Sequence, residues 1–187
     1  MPNGELIEGL AYVRSYLDLQ EQHALLATVD SQPWRADLRR RVQHYGYRYD
    51  YTRKRVDADL FLGPLPSWAA LLAQRLHDDG YSDDVPDQVI VNEYLPGQGI
   101  SAHIDCAPCF AESVLSLSLG STCVMRLSRS DAEPVEVFLE PGSLLVMRGD
   151  ARYEWRHEIA ARRSDRWNGQ TIARERRVSL TFRTVLL

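Results

Sequence analysis

A histidine and an aspartate, His103 and Asp105, are separated by one residue at the end of the stretch from Asn92 to Asp105. On an extended backbone, residues i and i+2 point to the same face, so the two side chains would converge. An imidazole and a carboxylate are two of the three ligands of the His-His-carboxylate site that holds non-haem Fe(II) with open coordination positions. A His-x-Asp pair alone is more often a polar surface pair than a metal site, so a third ligand must be found.

The third ligand would have to come from later in the chain. Of the five histidines, His157 is the only one after Asp105. His157 is therefore the candidate by elimination.

The run from 177 to 183 alternates polar and apolar residues, which predicts a strand with two different faces. Its polar face either meets solvent or lines a polar cavity. Two arginines on that face could bind the two carboxylates of a small diacid, because guanidinium matches carboxylate with two parallel hydrogen bonds. The polar positions are Arg177, Ser179, Thr181 and Arg183, and the apolar positions are Val178, Leu180 and Phe182.

Three separated motifs occur in order from about Leu38 to the C-terminus: Asn-x-Tyr-x-Pro-Gly-x-Gly-Ile-x-x-His-x-Asp, Leu-x-Pro-Gly-Ser-Leu-Leu-Val-Met-x-Gly-x-Ala-Arg-Tyr-x-Trp-x-His and Arg-x-Ser-x-Thr-Phe-Arg. Together they resemble the AlkB family, the Fe(II)- and 2-oxoglutarate-dependent dioxygenases of nucleic-acid bases. The resemblance implies that Fe(II), 2-oxoglutarate and O2 are the cofactors. It implies Fe(II) binding by His103, Asp105 and His157, and 2-oxoglutarate binding by Asn92, Tyr94, Arg177, Ser179 and Arg183. The family commonly has Asn at the position of Ser179.

The resemblance implies oxidative demethylation of N-alkylated bases in DNA or RNA, which releases formaldehyde, succinate and CO2. Repair-type members often have an acidic residue where this chain has Ala107. The motifs resemble more closely the AlkB homologue that hydroxylates a modified wobble uridine in tRNA, so that activity is the second prediction. Oxidation of a protein substrate and metal binding without turnover also remain open.

The segment from Arg35 to Arg55 contains eight basic residues and two acidic ones, although the whole chain has a formal charge of −4. A local basic patch can contact phosphates, although a solvated charged face is the commoner explanation of charge alone. Within it, four tyrosines at spacing two (Tyr45, Tyr47, Tyr49 and Tyr51) would share one face of a strand. Such a face either packs on a helix or stacks on unpaired bases. The resemblance favours a lid over the base and implies substrate contacts from Tyr45, Tyr47, Arg48, Tyr49 and Arg53.

Asp18-Leu-Gln-Glu21 predicts a capped helix, and a second helix is expected from about Ser67 to just before Gly80. From Asp87 onward, short apolar runs predict strands at 88–95, 100–105, 113–119, 122–128, 135–139, 143–148, 152–159 and 177–186. If 152–159 is one strand, Tyr153, Trp155 and His157 share a face, and the two aromatics either wall the metal site or pack in the core. The expected fold is α+β, mainly β: a double-stranded β-helix (jelly roll) core with N-terminal supporting helices.

The composition, 44% hydrophobic and 26% charged over 187 residues, predicts one globular domain. We divide it into N-terminal helices and a nucleotide-recognition lid (1–87) and a jelly-roll catalytic core (88–187). No signal peptide is visible, and the longest apolar run, 68–73, is too short to cross a membrane. Three cysteines without a secretory signal predict reduced thiols in a cytoplasmic protein, expected to be a monomer. The Cys106-x-x-Cys109 pair lacks the further ligands of a zinc site.

Overall fold

The computed structural model describes residues 7–36, 39–50 and 52–187 of the chain. These residues form two antiparallel sheets, a separate hairpin and three α-helices. The helices are α1 Leu19–Asp30, α2 Ser67–Asp78 and α3 Gly149–Tyr153. The strands are β1 Leu10–Val13, β2 Val42–Tyr45, β3 Gln88–Tyr94, β4 Ile100–His103, β5 Val114–Gly120, β6 Cys123–Ser128, β7 Val135–Leu139, β8 Leu144–Met147, β9 Arg156–Ile159, β10 Ser164–Trp167, β11 Gln170–Ala173 and β12 Arg177–Arg183.

The larger sheet has the strand order β1-β8-β5-β12-β3-β2, and the smaller one has the order β4-β9-β6-β7. Apolar side chains from both sheets form one cluster between them, including Val114 and Met147 from the larger sheet and Met125 and Leu127 from the smaller. This arrangement confirms the predicted jelly roll. Strands β10 and β11 pair only with each other, as a hairpin between β9 and β12.

Strand β12 lies in the middle of the larger sheet, paired with β3 on one side and β5 on the other. Its apolar positions, Val178, Leu180 and Phe182, pack in the cluster beneath the helices and are at most 1% exposed. Burial of one such side chain contributes roughly 1.5–3 kcal/mol. This packing forces the alternate residues, among them Arg177 and Arg183, towards the other sheet.

The two predicted helices are present and cover the outer face of the larger sheet. Helix α1 begins with the expected capping box: the Asp18 carboxylate accepts from the Glu21 amide at 2.8 Å, and the Glu21 carboxylate accepts from the Asp18 amide at 2.9 Å. Helix α2 ends at Asp78, before Gly80, as predicted. Val29 of α1 and Leu76 of α2 are fully buried against the sheet, which confirms the supporting role of the helices.

The predicted strand at 152–159 is wrong over its first half, because residues 149–153 form helix α3. Gly149 has a φ of +48° at the start of this turn, and the amides of Glu154 and Trp155 both donate to the carbonyl of Asp150. Trp155 therefore packs in the core between the sheets and does not share a strand face with His157.

Two strands from the first 87 residues, β1 and β2, form the two edges of the larger sheet. Neither strand was predicted from the sequence, nor was the hairpin β10–β11. No membrane-spanning helix is found in the described part of the chain, where the longest helices, α1 and α2, have twelve residues each.

Candidate active site

The predicted metal ligands meet at one end of the smaller sheet. His103 on β4 and His157 on β9 are direct partners in the antiparallel register, with ring centroids 4.3 Å apart. Asp105 lies two residues beyond β4, and its Oδ2 is 3.5 Å from His157 Nε2. One ligand atom from each of the three side chains lies within 4.8 Å of the others. Within the described ranges, no second group of His, Cys, Asp or Glu side chains converges in this way.

The protonation states of these side chains suit a metal. The ring Nδ1 of His103 lies 2.8 Å from the carbonyl oxygen of Ser101, which can only accept a hydrogen bond, so Nδ1 carries the proton and Nε2 is left as a ligand. Burial lowers the pKa of His157 to about 4, against the opposing effect of the Asp105 charge. His157 is therefore neutral near pH 7, as metal binding requires.

Asp105 is held ionised and in place by two arginines. Burial opposes its ionisation, but nearby charges, of which that of Arg183 has the largest effect, outweigh burial and lower the pKa of Asp105 to about 2. Arg183 Nη1 donates to Asp105 Oδ1 at 2.5 Å. From α3, the 2%-exposed Arg152 donates to the main-chain carbonyls of Asp105 and Cys106 at 2.9 and 3.2 Å. Three ligands on one side leave open positions for further groups on a metal.

A cavity of about 470 Å³ opens beside the three side chains, within the range of roughly 300–1,000 Å³ that small-molecule sites occupy. All five side chains predicted to bind 2-oxoglutarate line it: Asn92, Tyr94, Arg177, Ser179 and Arg183. Strand β3 supplies the first two and β12 the other three, and register pairs Tyr94 with Arg177 and Asn92 with Ser179.

Among the described residues, no carboxylate pairs with Arg177. Arg177 is 3% exposed and donates from Nη2 to Ser118 Oγ at 2.9 Å, while Nε and Nη1 are buried without a hydrogen-bond partner. Its guanidinium carbon lies 5.4 Å from the centre of the Tyr94 ring. A buried cation with unsatisfied donors is unfavourable unless an anion binds it. A carboxylate in the cavity would fit this environment, so the residues present fit 2-oxoglutarate.

Arg183 lies at the metal end of the same strand. Its Nη1 is paired with Asp105, and its Nε donates to Gln88 Oε1 at 2.9 Å. Both contacts are with the protein, so Arg183 differs from Arg177 in having its charge compensated already.

Tyr45, Tyr47 and Tyr49 do not lie on one strand, because β2 ends at Tyr45. Gly46 follows with a φ of +75°, and a Cβ there would lie 1.8 Å from the main-chain oxygen of Asp87, so the chain turns away. Tyr45 packs edge-on against Trp68 of α2 with ring centroids 5.2 Å apart. Tyr45 does not line the cavity, and its position corrects the prediction that it contacts substrate.

The other predicted substrate residues have different environments. Tyr49 lines the cavity, whereas Tyr47 packs against Phe61 with ring centroids 5.0 Å apart. Arg48 and Arg53 are exposed and do not line the cavity. Tyr51 lies outside the described residues.

Several residues at the cavity were not singled out from the sequence. Arg40, Lys54 and Ile104 line it, and Arg152 fixes the loop that carries Asp105. Arg40 and Lys54 were counted only as charges of the basic segment, and neither charge nor spacing indicates which member of such a run turns inward.

The cysteine prediction also needs correction. Cys106 and Cys109, predicted as reduced thiols, form a disulfide, and Cys123 is a buried free thiol. The turn between the pair brings their Cα atoms to 5.2 Å, within the range of about 4.4–6.8 Å that a disulfide needs. The sulfurs lie 3.4 and 3.7 Å from the carbonyl oxygen of Lys54. These are contacts without a hydrogen bond, because a disulfide carries no sulfur-bound proton.

Comparison with known proteins places this geometry in a family. The model of the 2OG-Fe(II) oxygenase superfamily matches residues 28–183. The Arabidopsis thaliana "Alkylated DNA repair protein ALKBH8 homolog" is 36% identical over 203 residues, covering 96% of this chain and 59% of that protein. The Mus musculus "tRNA (carboxymethyluridine(34)-5-O)-methyltransferase ALKBH8" is 39% identical over 165 residues, covering 84% of this chain but 25% of its own length.

Solved structures agree in fold. OsALKBH1 superposes with a TM-score of 0.68 at 18% identity, covering 94% of this chain and 96% of that one. A Pseudomonas putida prolyl-4-hydroxylase gives a TM-score of 0.60 at 15% identity, covering 98% and 96%. The family match, the two relatives and the fold confirm the resemblance seen in the motifs. This chain belongs to the AlkB family of the 2OG-Fe(II) oxygenase superfamily, whose members are dioxygenases that use Fe(II), 2-oxoglutarate and O2.

Proposed function

We propose that the chain oxidises a modified base of a nucleic acid, with Fe(II) held by His103, Asp105 and His157. The observation that carries the proposal is that these three side chains converge at the same cavity as the uncompensated cation Arg177. When bound, Fe(II) with 2-oxoglutarate and O2 supplies the oxidation of a C–H bond.

The protein's own contribution is binding and orientation. Arg177 would bind the 2-oxoglutarate carboxylate remote from the metal, and Ser179, Asn92 and Tyr94 line the same part of the cavity. Arg183 keeps Asp105 ionised and therefore able to bind the metal. The three predicted ligands come from two paired strands and one loop held by Arg152, so their relative positions are fixed before any ligand arrives.

A nucleic-acid substrate is supported by the segment that borders the cavity. Tyr49 and Lys54 line it and would offer an aromatic face and a cation to a base and its phosphate. Arg48 and Arg53 of the same segment are exposed, as phosphate-binding side chains must be. The printed names of the relatives refer to tRNA and to alkylated DNA, which agrees with this choice.

Two reactions on a base are candidates. Demethylation of an N-alkylated base is the first prediction from the sequence, and a "DNA N6-methyl adenine demethylase" of Caenorhabditis elegans is 27% identical over 184 residues. Two observations favour hydroxylation of a modified uridine in tRNA. The Mus musculus relative, whose printed name refers to carboxymethyluridine in tRNA, is more similar, at 39% identity. Ala107, where repair-type members often have an acidic residue, is exposed and does not line the cavity. This chain therefore has no carboxylate at that position to contact a cationic methylated base.

Mass spectrometry of a substrate panel tests the proposal. The protein would be incubated with Fe(II), ascorbate and 2-oxoglutarate against tRNA with modified uridines, methylated oligonucleotides and methylated peptides, with His103→Ala as the control. We expect a gain of one oxygen on a tRNA uridine, or loss of a methyl group from an oligonucleotide. Turnover of peptides alone would show a protein substrate. Succinate formation at the level of His103→Ala in every sample would show that the chain is not an active oxygenase.

A further inference from the structure

Arg40 reaches the co-substrate part of the cavity from the edge of the larger sheet. It stands two residues before β2, the edge strand next to β3. Its Nε donates to Asn92 Oδ1 at 2.8 Å, and its guanidinium carbon lies 5.7 Å from the centre of the Tyr94 ring. Asn92 and Tyr94 point to the cavity, so Arg40 is on that face of the sheet.

The neighbouring Arg41 points to the opposite face of the sheet from Arg40. Arg41 forms a two-bond ion pair with Glu93 at 2.6 and 2.7 Å, and Glu93 alternates with Asn92 and Tyr94 along β3. Two adjacent arginines thus take opposite faces of the sheet. The charge of Arg41 is compensated by Glu93, whereas Arg40 contacts a neutral amide and an aromatic ring.

Arg40 and Arg177 place two guanidinium groups against one tyrosine, at 5.7 and 5.4 Å from the ring centre. Among the described residues, no ion pair with Asp or Glu involves either of them. A carboxylate in the cavity, which both side chains line, would be attracted by both charges, more strongly where solvent is excluded.

The contact with Asn92 also fixes the orientation of its side-chain amide. A guanidinium can only donate, so the Asn92 atom that meets Arg40 is the carbonyl oxygen. The Nδ2 group is then left as a donor for a bound carboxylate.

From these contacts we infer that Arg40 is a second cation for the co-substrate, acting with Arg177 on the 2-oxoglutarate carboxylate remote from the metal and orienting Asn92 towards it. The inference rests on the proposed function, since it adds a residue to that same site. Arg40 belongs to the basic segment from Arg35 to Arg55, which we propose to contact nucleic acid. The same segment would therefore also contribute a cation to the co-substrate site.

The test compares Arg40→Gln with Arg39→Gln, which removes the same charge from the adjacent position. Arg39 is exposed and does not line the cavity. Among the described residues, its contact with Gln98 is made by the Arg39 main-chain carbonyl and not by its guanidinium group. Binding of 2-oxoglutarate and of 2-oxobutanoate, which lacks the remote carboxylate, would be measured by calorimetry with Mn(II) in place of Fe(II). Circular dichroism checks the fold.

We expect Arg40→Gln to weaken 2-oxoglutarate binding about tenfold or more, the size of one charge-assisted contact, with 2-oxobutanoate binding unchanged. Arg39→Gln should bind both keto acids like wild type. Equal weakening for both keto acids, an equal loss in Arg39→Gln, or unchanged 2-oxoglutarate binding in Arg40→Gln would overturn the role of Arg40. Failure of the wild type to bind 2-oxoglutarate would instead overturn the proposed function.

Discussion

Arg177 and Arg183 lie six residues apart on one strand face, but only Arg183 has its charge compensated by a carboxylate among the described residues. Arg183 is paired with Asp105, whereas Arg177 has two buried donors without partners. Removal of one member of a buried ion pair leaves the other uncompensated, whereas removal of an unpaired buried charge relieves its desolvation. The two arginines should therefore respond to substitution with opposite effects on stability.

Arg177→Met should weaken 2-oxoglutarate binding by about 3 kcal/mol, roughly a hundredfold, because it removes a buried charge-assisted contact. The same variant, free of co-substrate, should be as stable as wild type or more stable. Arg183→Met should be less stable, because Asp105 loses its partner. Calorimetry and urea unfolding measure the two effects. A large loss of stability in Arg177→Met would mean that its role is structural.

His157 makes the metal-free protein sensitive to acid. Its pKa is lowered from the usual 6.5 to about 4, so below pH 6.5 the unfolded chain binds a proton that the folded chain does not bind until about pH 4. The free energy of unfolding should fall as the pH falls through this window, by about 2 kcal/mol between pH 7 and pH 5. Urea unfolding in the presence of a chelator measures it. His157→Gln should lose this dependence and His23→Gln, an exposed position on α1, should keep it; equal slopes in all three proteins would contradict the assignment.

The disulfide can be tested by counting reactive thiols. Alkylation of the unfolded protein without reductant should label Cys123 alone, and alkylation after reduction should label all three cysteines. In the native protein Cys123 should not react, since it is 2% exposed. Intact mass gives the count. Three labels before reduction would show that Cys106 and Cys109 are thiols.

The metal site depends on how closely β4 approaches β9. A Cβ at Gly99 would lie 2.1 Å from the main-chain oxygen of Ile159, so only glycine permits this approach. The pair Ile100–Ile159 and the pair His103–His157 belong to the same ladder. A displacement at one end of so short a ladder should therefore reach the histidines.

Gly99→Ala should lower the free energy of unfolding by roughly 1–3 kcal/mol and also weaken metal binding. Gly97→Ala is the matched control in the same turn: its φ is +93°, but the nearest atom to its Cβ is 3.9 Å away. The control should lose about 1–2 kcal/mol through backbone strain and keep the metal affinity of wild type. Calorimetry with Mn(II) and urea unfolding distinguish them. Equal metal affinity in both variants would show that the ladder does not transmit the clash.

The elements that the sequence predicted well are those with a local signal. The capping box of α1 and the alternation of β12 are visible in the side chains themselves, and both are present. Helix α3 and the turn after Tyr45 were missed, because each begins at a glycine with positive φ whose contacts are with distant residues. A Cβ at Gly46 would meet the main chain of Asp87, and the amide of Gly149 donates to Glu112. Arg40 was missed for a related reason: its contact with Asn92 joins positions 52 residues apart.

The formal charge of −4 for the whole chain contrasts with the basic segment from Arg35 to Arg55. If nucleic acid binds at this segment, its exposed arginines release counterions and Tyr49 contributes stacking. Arg53→Ala should weaken binding and reduce the salt slope by about 0.7–0.9. Tyr49→Ala should weaken binding without changing the slope.

Oligonucleotide affinity over a salt series measures both effects. Arg14→Ala is the control, because it removes one charge beside β1, where Arg14 is paired with Glu140. If Arg53→Ala and Arg14→Ala have the same salt slope, the basic segment does not contact phosphates.

The central position of β12 has a consequence for how the protein is made. Strands β3 and β5 are separated in the larger sheet by a strand that begins only at Arg177, so during synthesis they have no shared partner until the ribosome has passed residue 183. The apolar faces of β3 and β5 must remain without their central neighbour until then, which exposes the nascent chain to aggregation. The strand that brings Arg177 and Arg183 is also the strand that joins β3 to β5, so the larger sheet cannot be completed before the cavity has both arginines.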